Sequence, residues 1–278
     1  MDQSPAILLD RLGRDYGNFT AVDDLNLRVQ PGEIFAFLGA NGAGKTTTIK
    51  MMVGLLPPTR GLVVIGGHDV WKEPRQAKRA IGYVPDTPIL HELLTAREFL
   101  WFMADLYNLP RPEGQARAAE LLEMLGLKDA SDRLIRDFSL GMKRKMAIAT
   151  ALLHRPRVLL LDEVTNGLDA RAAREVKDLV TRWAGEGVAV LLTTHILHTA
   201  EELSHRIGLI HKGRLLCVGT KEELAERAGK PGANLEEIFL TLTGDQVPAE
   251  MEGVEGRVGP FPSVTPGRRK RFEPDETR

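Results

Sequence analysis

The sequence of 278 residues contains a single cysteine, Cys217. That excludes an intrachain disulfide and makes a reducing, cytosolic compartment the default. A dominant charge is also missing: 37 Lys and Arg face 38 Asp and Glu, for a net charge of -1. No overall field draws nucleic acid or an anionic membrane to the chain. No apolar run approaches the ~20 residues needed to cross a bilayer. The opening Met1-Asp2-Gln3-Ser4-Pro5 has neither the basic nor the apolar segment of a signal peptide. Action at a membrane is therefore expected only through a partner. The 43% of hydrophobic residues that are present is ordinary for a soluble globular chain with a large buried core.

The chain is organised around Gly39-Ala40-Asn41-Gly42-Ala43-Gly44-Lys45-Thr46-Thr47. The apolar run Ile34-Phe35-Ala36-Phe37-Leu38 before it reads as a buried strand, and Thr48 to Gly54 after it reads as a helix. Strand, glycine-rich loop and helix form the context a phosphate-binding loop requires. The glycines let backbone N–H groups converge on an anion at a helix N-terminus. Lys45 is placed to reach β- and γ-phosphates, and the Thr46 hydroxyl to ligand Mg²⁺.

Around this core the elements follow in order. Ala6 to Arg14 and Ala21 to Val29 read as antiparallel strands about a turn at Tyr16-Gly17-Asn18, with Leu62 to Ile65 as a further short strand. Tyr16 is either an aromatic platform for a base or a partly buried turn tyrosine. Ile81 to Val84 is a buried strand running into Pro85-Asp86-Thr87-Pro88. A mainly helical region follows, about 87–153. Thr95 to Tyr107 carries a capping threonine with Glu98 in its first turn, and Pro112 to Leu125 ends at Gly126. Four of the few aromatics gather here: Phe99, Trp101, Phe102 and Tyr107. They either pack this region or face a protein partner. Ser139 is a good N-cap ahead of the helical run Met146 to His154.

Arg157 to Glu163 is a strand buried on both faces that ends in two carboxylates, Asp162 and Glu163. In a phosphate-loop ATPase an acid at this place binds Mg²⁺, and the next can act as base toward water. Ala170 to Ala184 is an amphipathic helix. Val188 to Thr193 is a strand ending in Thr194-His195, where open α/β sheets place ligand-contacting residues. His195 is either a structural strand-end histidine or a γ-phosphate contact. His198 and His205 lack the ligand set of a metal site. Arg206 to His211 and Arg214 to Val218 form a hairpin about Lys212-Gly213, and Lys221 to Ala228 and Leu235 to Leu242 are helical. Residues 245–278, with recurring prolines and Arg268-Arg269-Lys270-Arg271, read as a disordered tail.

Taken together, the phosphate loop, Ser139-Leu140-Gly141-Met142, Leu159-Leu160-Leu161-Asp162-Glu163, Asn166-Gly167-Leu168-Asp169 and His195 closely resemble the nucleotide-binding subunit of an ABC transporter. The resemblance covers about residues 6–243. It implies an α/β fold: a P-loop ATPase core with a mainly parallel sheet, an N-terminal antiparallel β subdomain and an inserted helical subdomain, over 1–244. It implies ATP and Mg²⁺ as ligands. Tyr16 then stacks on adenine, and Gly39, Asn41, Gly42, Gly44, Lys45, Thr46 and Thr47 belong to the Walker A loop. Asp162 joins Thr46 at the metal, Glu163 is the catalytic base, and His195 is the switch histidine. Ser139 and Gly141 form the signature motif and Asp169 belongs to the loop that crosses a dimer interface, both acting on a second nucleotide-binding subunit, a homodimer being the expectation. The implied activity is ATP hydrolysis that closes the dimer and drives transport through a separate transmembrane permease, at the cytoplasmic face of the cell membrane, with no specific nucleic acid as partner.

Two positions depart from the family pattern. The signature usually reads Leu-Ser-Gly-Gly-Gln, whereas here it is Phe138-Ser139-Leu140-Gly141-Met142. Asp86 stands where a glutamine usually serves Mg²⁺ and water, and is expected to retain metal contact with altered geometry. Both departures resemble the drug and antibiotic exporter branch. The alternative is a soluble ABC ATPase acting on ribosomes or DNA, whose members carry two nucleotide domains or long coiled coils.

Overall fold

The structure, a computed structural model, describes residues 4–244. The tail read as disordered lies outside the described residues. In chain order the elements are β1 (Ile7–Tyr16), β2 (Phe19–Val29), β3 (Ile34–Leu38), α1 (Lys45–Met52), β4 (Arg60–Ile65), β5 (His68–Asp69), α2 (Pro74–Ala80) and β6 (Ile81–Val84). Three helices follow: α3 (Ala96–Leu106), α4 (Arg111–Met124) and α5 (Leu140–Leu152). Then come β7 (Val158–Asp162), α6 (Ala170–Gly185), β8 (Ala189–Thr194), α7 (Leu197–Leu203), β9 (Arg206–His211), β10 (Arg214–Gly219), α8 (Lys221–Arg227) and α9 (Leu235–Thr243).

Two sheets organise the chain. The first is antiparallel, in the order β2-β1-β4-β5; the second has the order β10-β9-β3-β8-β7-β6. In the second sheet β3 pairs in parallel with both β8 and β9, and β7 with both β6 and β8, while β10 alone runs antiparallel. Parallel strands need cover on both faces, which explains why β3, β7 and β8 are buried at every position.

Alternate side chains of these strands enter two different cores. Ile34, Ala36 and Leu38 of β3 point to one side, with Val176, Val180 and Trp183 of α6 and with Phe99, Leu121 and Ile148 from α3, α4 and α5. Phe35 and Phe37 point to the other, where they meet Ile49, Met51 and Met52 of α1 and Leu9 and Val63 of the antiparallel sheet. Helix α1 is thus held between the sheets. Full burial of each such side chain contributes about 1.5–3 kcal/mol, so the phosphate-loop helix is among the most firmly fixed elements.

Local signals account for most boundaries. Thr95 and Glu98 form a reciprocal capping box at α3. The Ser139 side chain accepts from Met142 N–H and starts α5 at Leu140, so the helix includes the basic segment Lys143 to Lys145. Helix α1 begins at Lys45, three residues earlier than the sequence reading placed it, because Gly44 with φ 108° can turn the chain directly into the helix. Helices α2 and α7 were not evident in the sequence: each is seven residues long, too short to show a periodic apolar face. The aromatics around α3 divide between two environments. Phe99 is buried at 3%, and Tyr107 stacks on His154 at 4.0 Å, whereas Trp101 and Phe102 remain exposed.

Candidate active site

Parallel pairing brings the C-terminal ends of β3, β6, β7 and β8 to one edge of the sheet. Leu38 pairs with Thr194, Asp162 with Thr193, and Val84 with Leu161. Each strand releases one segment into a common cleft, the usual ligand position in an open α/β sheet. The cleft has a volume of about 680 Å³, and its lining includes Tyr16, Asn41, Lys45, Asp86, Glu163 and His195. Gly42, Gly44, Thr46 and Thr47 complete the loop side.

The loop leaves β3 through Gly39, where an added Cβ would stand 2.4 Å from Ile210 O; no other residue fits there. Helix α1 has no side-chain cap. Its first backbone bond runs from Thr48 N–H to Gly44 O at 2.9 Å. The N–H groups of Lys45, Thr46 and Thr47 precede that bond and point with the helix dipole toward the cleft, a cradle for an anion. Lys45 is buried, and its Nζ donates to Gly39 O at 2.7 Å and Ala40 O at 3.2 Å.

Two adjacent carboxylates close the floor. Asp162 is buried, and its Oδ1 accepts from Thr193 Oγ1 at 2.6 Å. Burial pushes its pKa above the ordinary aspartate value, and the negative charges of Glu163 and Asp86 add to this against the hydrogen bonds of Thr193 and Thr46. Glu163 sits at φ 49°, the left-handed region that a non-glycine residue rarely adopts. Its N–H donates to Thr193 O at 3.2 Å, which holds that conformation. The side chain is clamped from two sides: His195 Nδ1 lies 2.9 Å from Oε2, and Lys45 Nζ lies 3.4 Å from Oε1. Burial alone would raise the Glu163 pKa, but His195 and Lys45 outweigh it and hold the carboxyl below its usual value.

Tyr16, at 46% exposure, marks the far end of the cleft, with the Arg14 guanidinium 4.7 Å from its ring centroid. Asp86 is half-exposed on the rim. Burial raises its pKa; Arg144 opposes this and Glu163 reinforces it. The other histidines stand apart: His205 Nδ1 accepts from Ile34 N–H at 3.0 Å, and His198 faces Glu202 at 3.6 Å.

Ser139, Gly141 and Asp169 do not enter this cleft. They line a separate depression of about 370 Å³ with Leu140, Met142 and Gly167. There Asp169 caps α6 by accepting from Ala172 N–H at 2.8 Å, so the N-termini of α5 and α6 share one surface. An added Cβ on Gly141 would meet nothing nearer than Ala172 Cβ at 3.7 Å. The chain's own packing does not require glycine there.

Several residues in and around the cleft have no role in the sequence reading. Phe19, 65% exposed, is a second aromatic wall beside Tyr16; the Gly17-Asn18 turn that pairs Tyr16 with Phe19 was the available signal. Tyr83 of β6 is part-buried, and its hydroxyl is pushed up to about 12 by burial and then by Asp162 and Asp86. Arg144 is buried behind Asp86, and Asn166 lines the cleft itself.

Residues 22–166 match the family described as ABC transporter. The chain is 39% identical over 235 residues to the linearmycin resistance ATP-binding protein LnrL of Bacillus subtilis (strain 168), covering 84% of this chain and 74% of that protein. It is 41% identical over 224 residues to the daunorubicin/doxorubicin resistance ATP-binding protein DrrA of Streptomyces peucetius, covering 81% and 68%. A solved structure of an ATP binding subunit of an ABC transporter superposes with TM-score 0.80 at 34% identity, over 86% of this chain and 99% of that one. The cleft at the sheet's C-terminal edge and these likenesses agree: the chain belongs to the ABC transporter family, as an ATP-binding subunit.

Proposed function

We propose that this subunit hydrolyses ATP at the interface of two copies arranged head to tail, and that closure of the pair drives export through a separate membrane permease. The observation that carries the reading is the division of the site between two surfaces. One cleft holds the phosphate loop, Glu163 and His195; a second depression holds Ser139 and Gly141. Neither surface is complete alone. Gly141, unneeded by its own fold, leaves room over the N-terminus of α5 for a partner's nucleotide.

In the cleft, Tyr16 and Phe19 take the base and the N–H groups of α1 take the phosphates. Thr46 and Asp162 suit a hard cation: a hydroxyl beside a carboxylate whose pKa is raised first by burial and then by the charges of Glu163 and Asp86. Thr46 and Asp162 would hold Mg²⁺ there, and the ion would supply charge neutralisation to the phosphates. Glu163 accepts the proton of the attacking water. Lys45 turns from Glu163 toward the phosphates, which frees the carboxylate and raises its basicity. His195 keeps it oriented through Nδ1. Binding energy for ATP thus becomes closure energy, and loss of the γ-phosphate reopens the pair. The relatives named for drug resistance support the export direction.

The test is recovery of the tagged full-length chain from detergent-solubilised native membranes with ATP present. Co-purification of a stoichiometric multi-span membrane protein is expected. Recovery only from the soluble fraction, with ribosomal or DNA-repair proteins, would overturn the proposed coupling to a permease.

A further inference from the structure

Arg144 lies five residues beyond Ser139 in α5 and is only 2% exposed. Its Nη1 donates to Pro85 O at 2.9 Å and to Asp86 O, and its Nη2 donates to Asn166 O at 3.4 Å. Nη2 also stands 3.8 Å from Asp86 Oδ1. Asn166 N–H in turn donates to Glu163 O at 3.0 Å. Three segments meet on this one side chain: the signature helix, the loop leaving β6, and the turn that follows Glu163.

Packing alone does not explain a guanidinium here. A buried cation is costly, and a buried ion pair replaced as a whole by apolar side chains often leaves stability unchanged. The Arg144 Nε has no hydrogen-bond partner among the described residues, so part of that cost is uncompensated. Burial lowers the Arg144 pKa, and Asp86, Asp162 and Glu163 all oppose the shift, so the charge sits in the field of every carboxylate of the cleft. Asp86 brings an extra negative charge to a place that must also receive a triphosphate, and Arg144 is the cation beside it.

Resting on the function proposed above, we propose that Arg144 is a positioning residue that locks the Asp86 loop and the Glu163 turn to the signature helix. Closure on Ser139 and Gly141 at one surface then sets the geometry of the base at the other. The two nucleotide sites of a closed pair are linked through this residue in each copy. The fork geometry matters as well as the charge: Nη1 serves the Asp86 loop and Nη2 the Asn166 turn, whereas a lysine offers its donors from a single nitrogen.

The experiment measures kcat, mant-ATP affinity and Tm for the full-length wild type, Arg144→Met, Arg144→Lys and Glu163→Gln. Loss of positioning without loss of binding gives Arg144→Met a kcat reduced about 10- to 100-fold, with mant-ATP affinity within about twofold of wild type and a fall in Tm that leaves the variant folded at the assay temperature. Arg144→Lys recovers part of the rate. If Arg144→Met does not fold, Arg144→Gln, which keeps amide donors, is read by the same criteria. A kcat within about threefold of wild type overturns the proposal, as does a loss of rate, affinity and Tm in proportion. A wild type that fails to hydrolyse ATP would remove the proposed function itself. Wild-type turnover that is abolished in Glu163→Gln but kept in Arg144→Met removes only the role of Arg144.

Discussion

Asp162 and Glu163 are neighbours in sequence with opposite electrostatics. Asp162, buried beside Thr193, has its pKa raised; Glu163, between His195 and Lys45, has its pKa held down. The difference comes from the end of β7. Asp162 is the last strand residue, fixed in the sheet, whereas Glu163 turns into the left-handed region and swings its carboxylate into the cleft. Under the proposed mechanism, one acid is suited to a cation and the next to a proton.

Replacing Glu163 with Gln keeps the shape and one hydrogen-bond acceptor for its neighbours but removes the proposed base. Turnover falls about 10²- to 10⁴-fold, while ATP binding persists. The variant accumulates as an ATP-dependent dimer on size-exclusion chromatography. Normal phosphate release by Glu163→Gln would remove this residue as the base.

Under the proposed mechanism Tyr16 and Phe19 carry the base contact by their exposed faces. Tyr16→Ala weakens ATP binding by about 1–3 kcal/mol, the usual value of base stacking. Phe19→Ala loses less, since its ring is the more exposed of the two. Inorganic triphosphate, which has no base, binds both variants as it binds the wild type. Titration calorimetry with ATP and with triphosphate separates the two contributions.

Gly141→Ala tests the second surface without disturbing the first. The nearest neighbour of the new methyl is at 3.7 Å, so the monomer accepts it, and Tm stays equal or rises with a gain of about 0.5–1 kcal/mol for alanine over glycine in a helix. In a Glu163→Gln background, the ATP-dependent dimer weakens about tenfold or more, the effect of losing ~1.4 kcal/mol at an interface. Unchanged dimer formation, measured by analytical ultracentrifugation, would separate Gly141 from the interface.

His154 gives the folded state a pH dependence remote from the cleft. Its Nε2 faces Ile81 O at 2.9 Å and its ring stacks on Tyr107. Burial lowers its pKa from 6.5, with the Ile81 contact opposing. A histidine depressed in the folded state takes up its proton first in the unfolded chain. Stability is therefore unaffected well above pH 6.5 and declines as pH falls through that value toward the lower folded-state pKa. Thermal melts from pH 8 to 5 are expected to show a steeper fall for wild type than for His154→Gln. Parallel curves would remove His154 as a source of the dependence.

The phosphate loop, the two carboxylates and the burial of β3, β7 and β8 are legible because their chemistry is local. Glycine spacing, a lysine at a helix start and a fully apolar strand are properties of consecutive residues. The order of motifs likewise carried the family. Short elements were less visible: α2 buries only Ala77, too little for a pattern.

What tertiary structure alone decided is which of these residues share a space. Parallel pairing, not spacing, brings Lys45, Asp86, Glu163 and His195 from four strand ends into one cleft. The same packing sends Ser139 and Gly141 to a different surface of the same chain. It also divides the aromatics of the helical region, burying Phe99 and leaving Trp101 and Phe102 at the surface. Arg144 reads in sequence as one more charge in a basic run, and only the fold places it against Pro85, Asp86 and Asn166. Local sequence sets the chemistry each segment offers through its side chains and backbone conformation. Long-range pairing and desolvation set which chemistries meet, because burial and the charges of distant segments decide the protonation, orientation and accessibility of every group in the site.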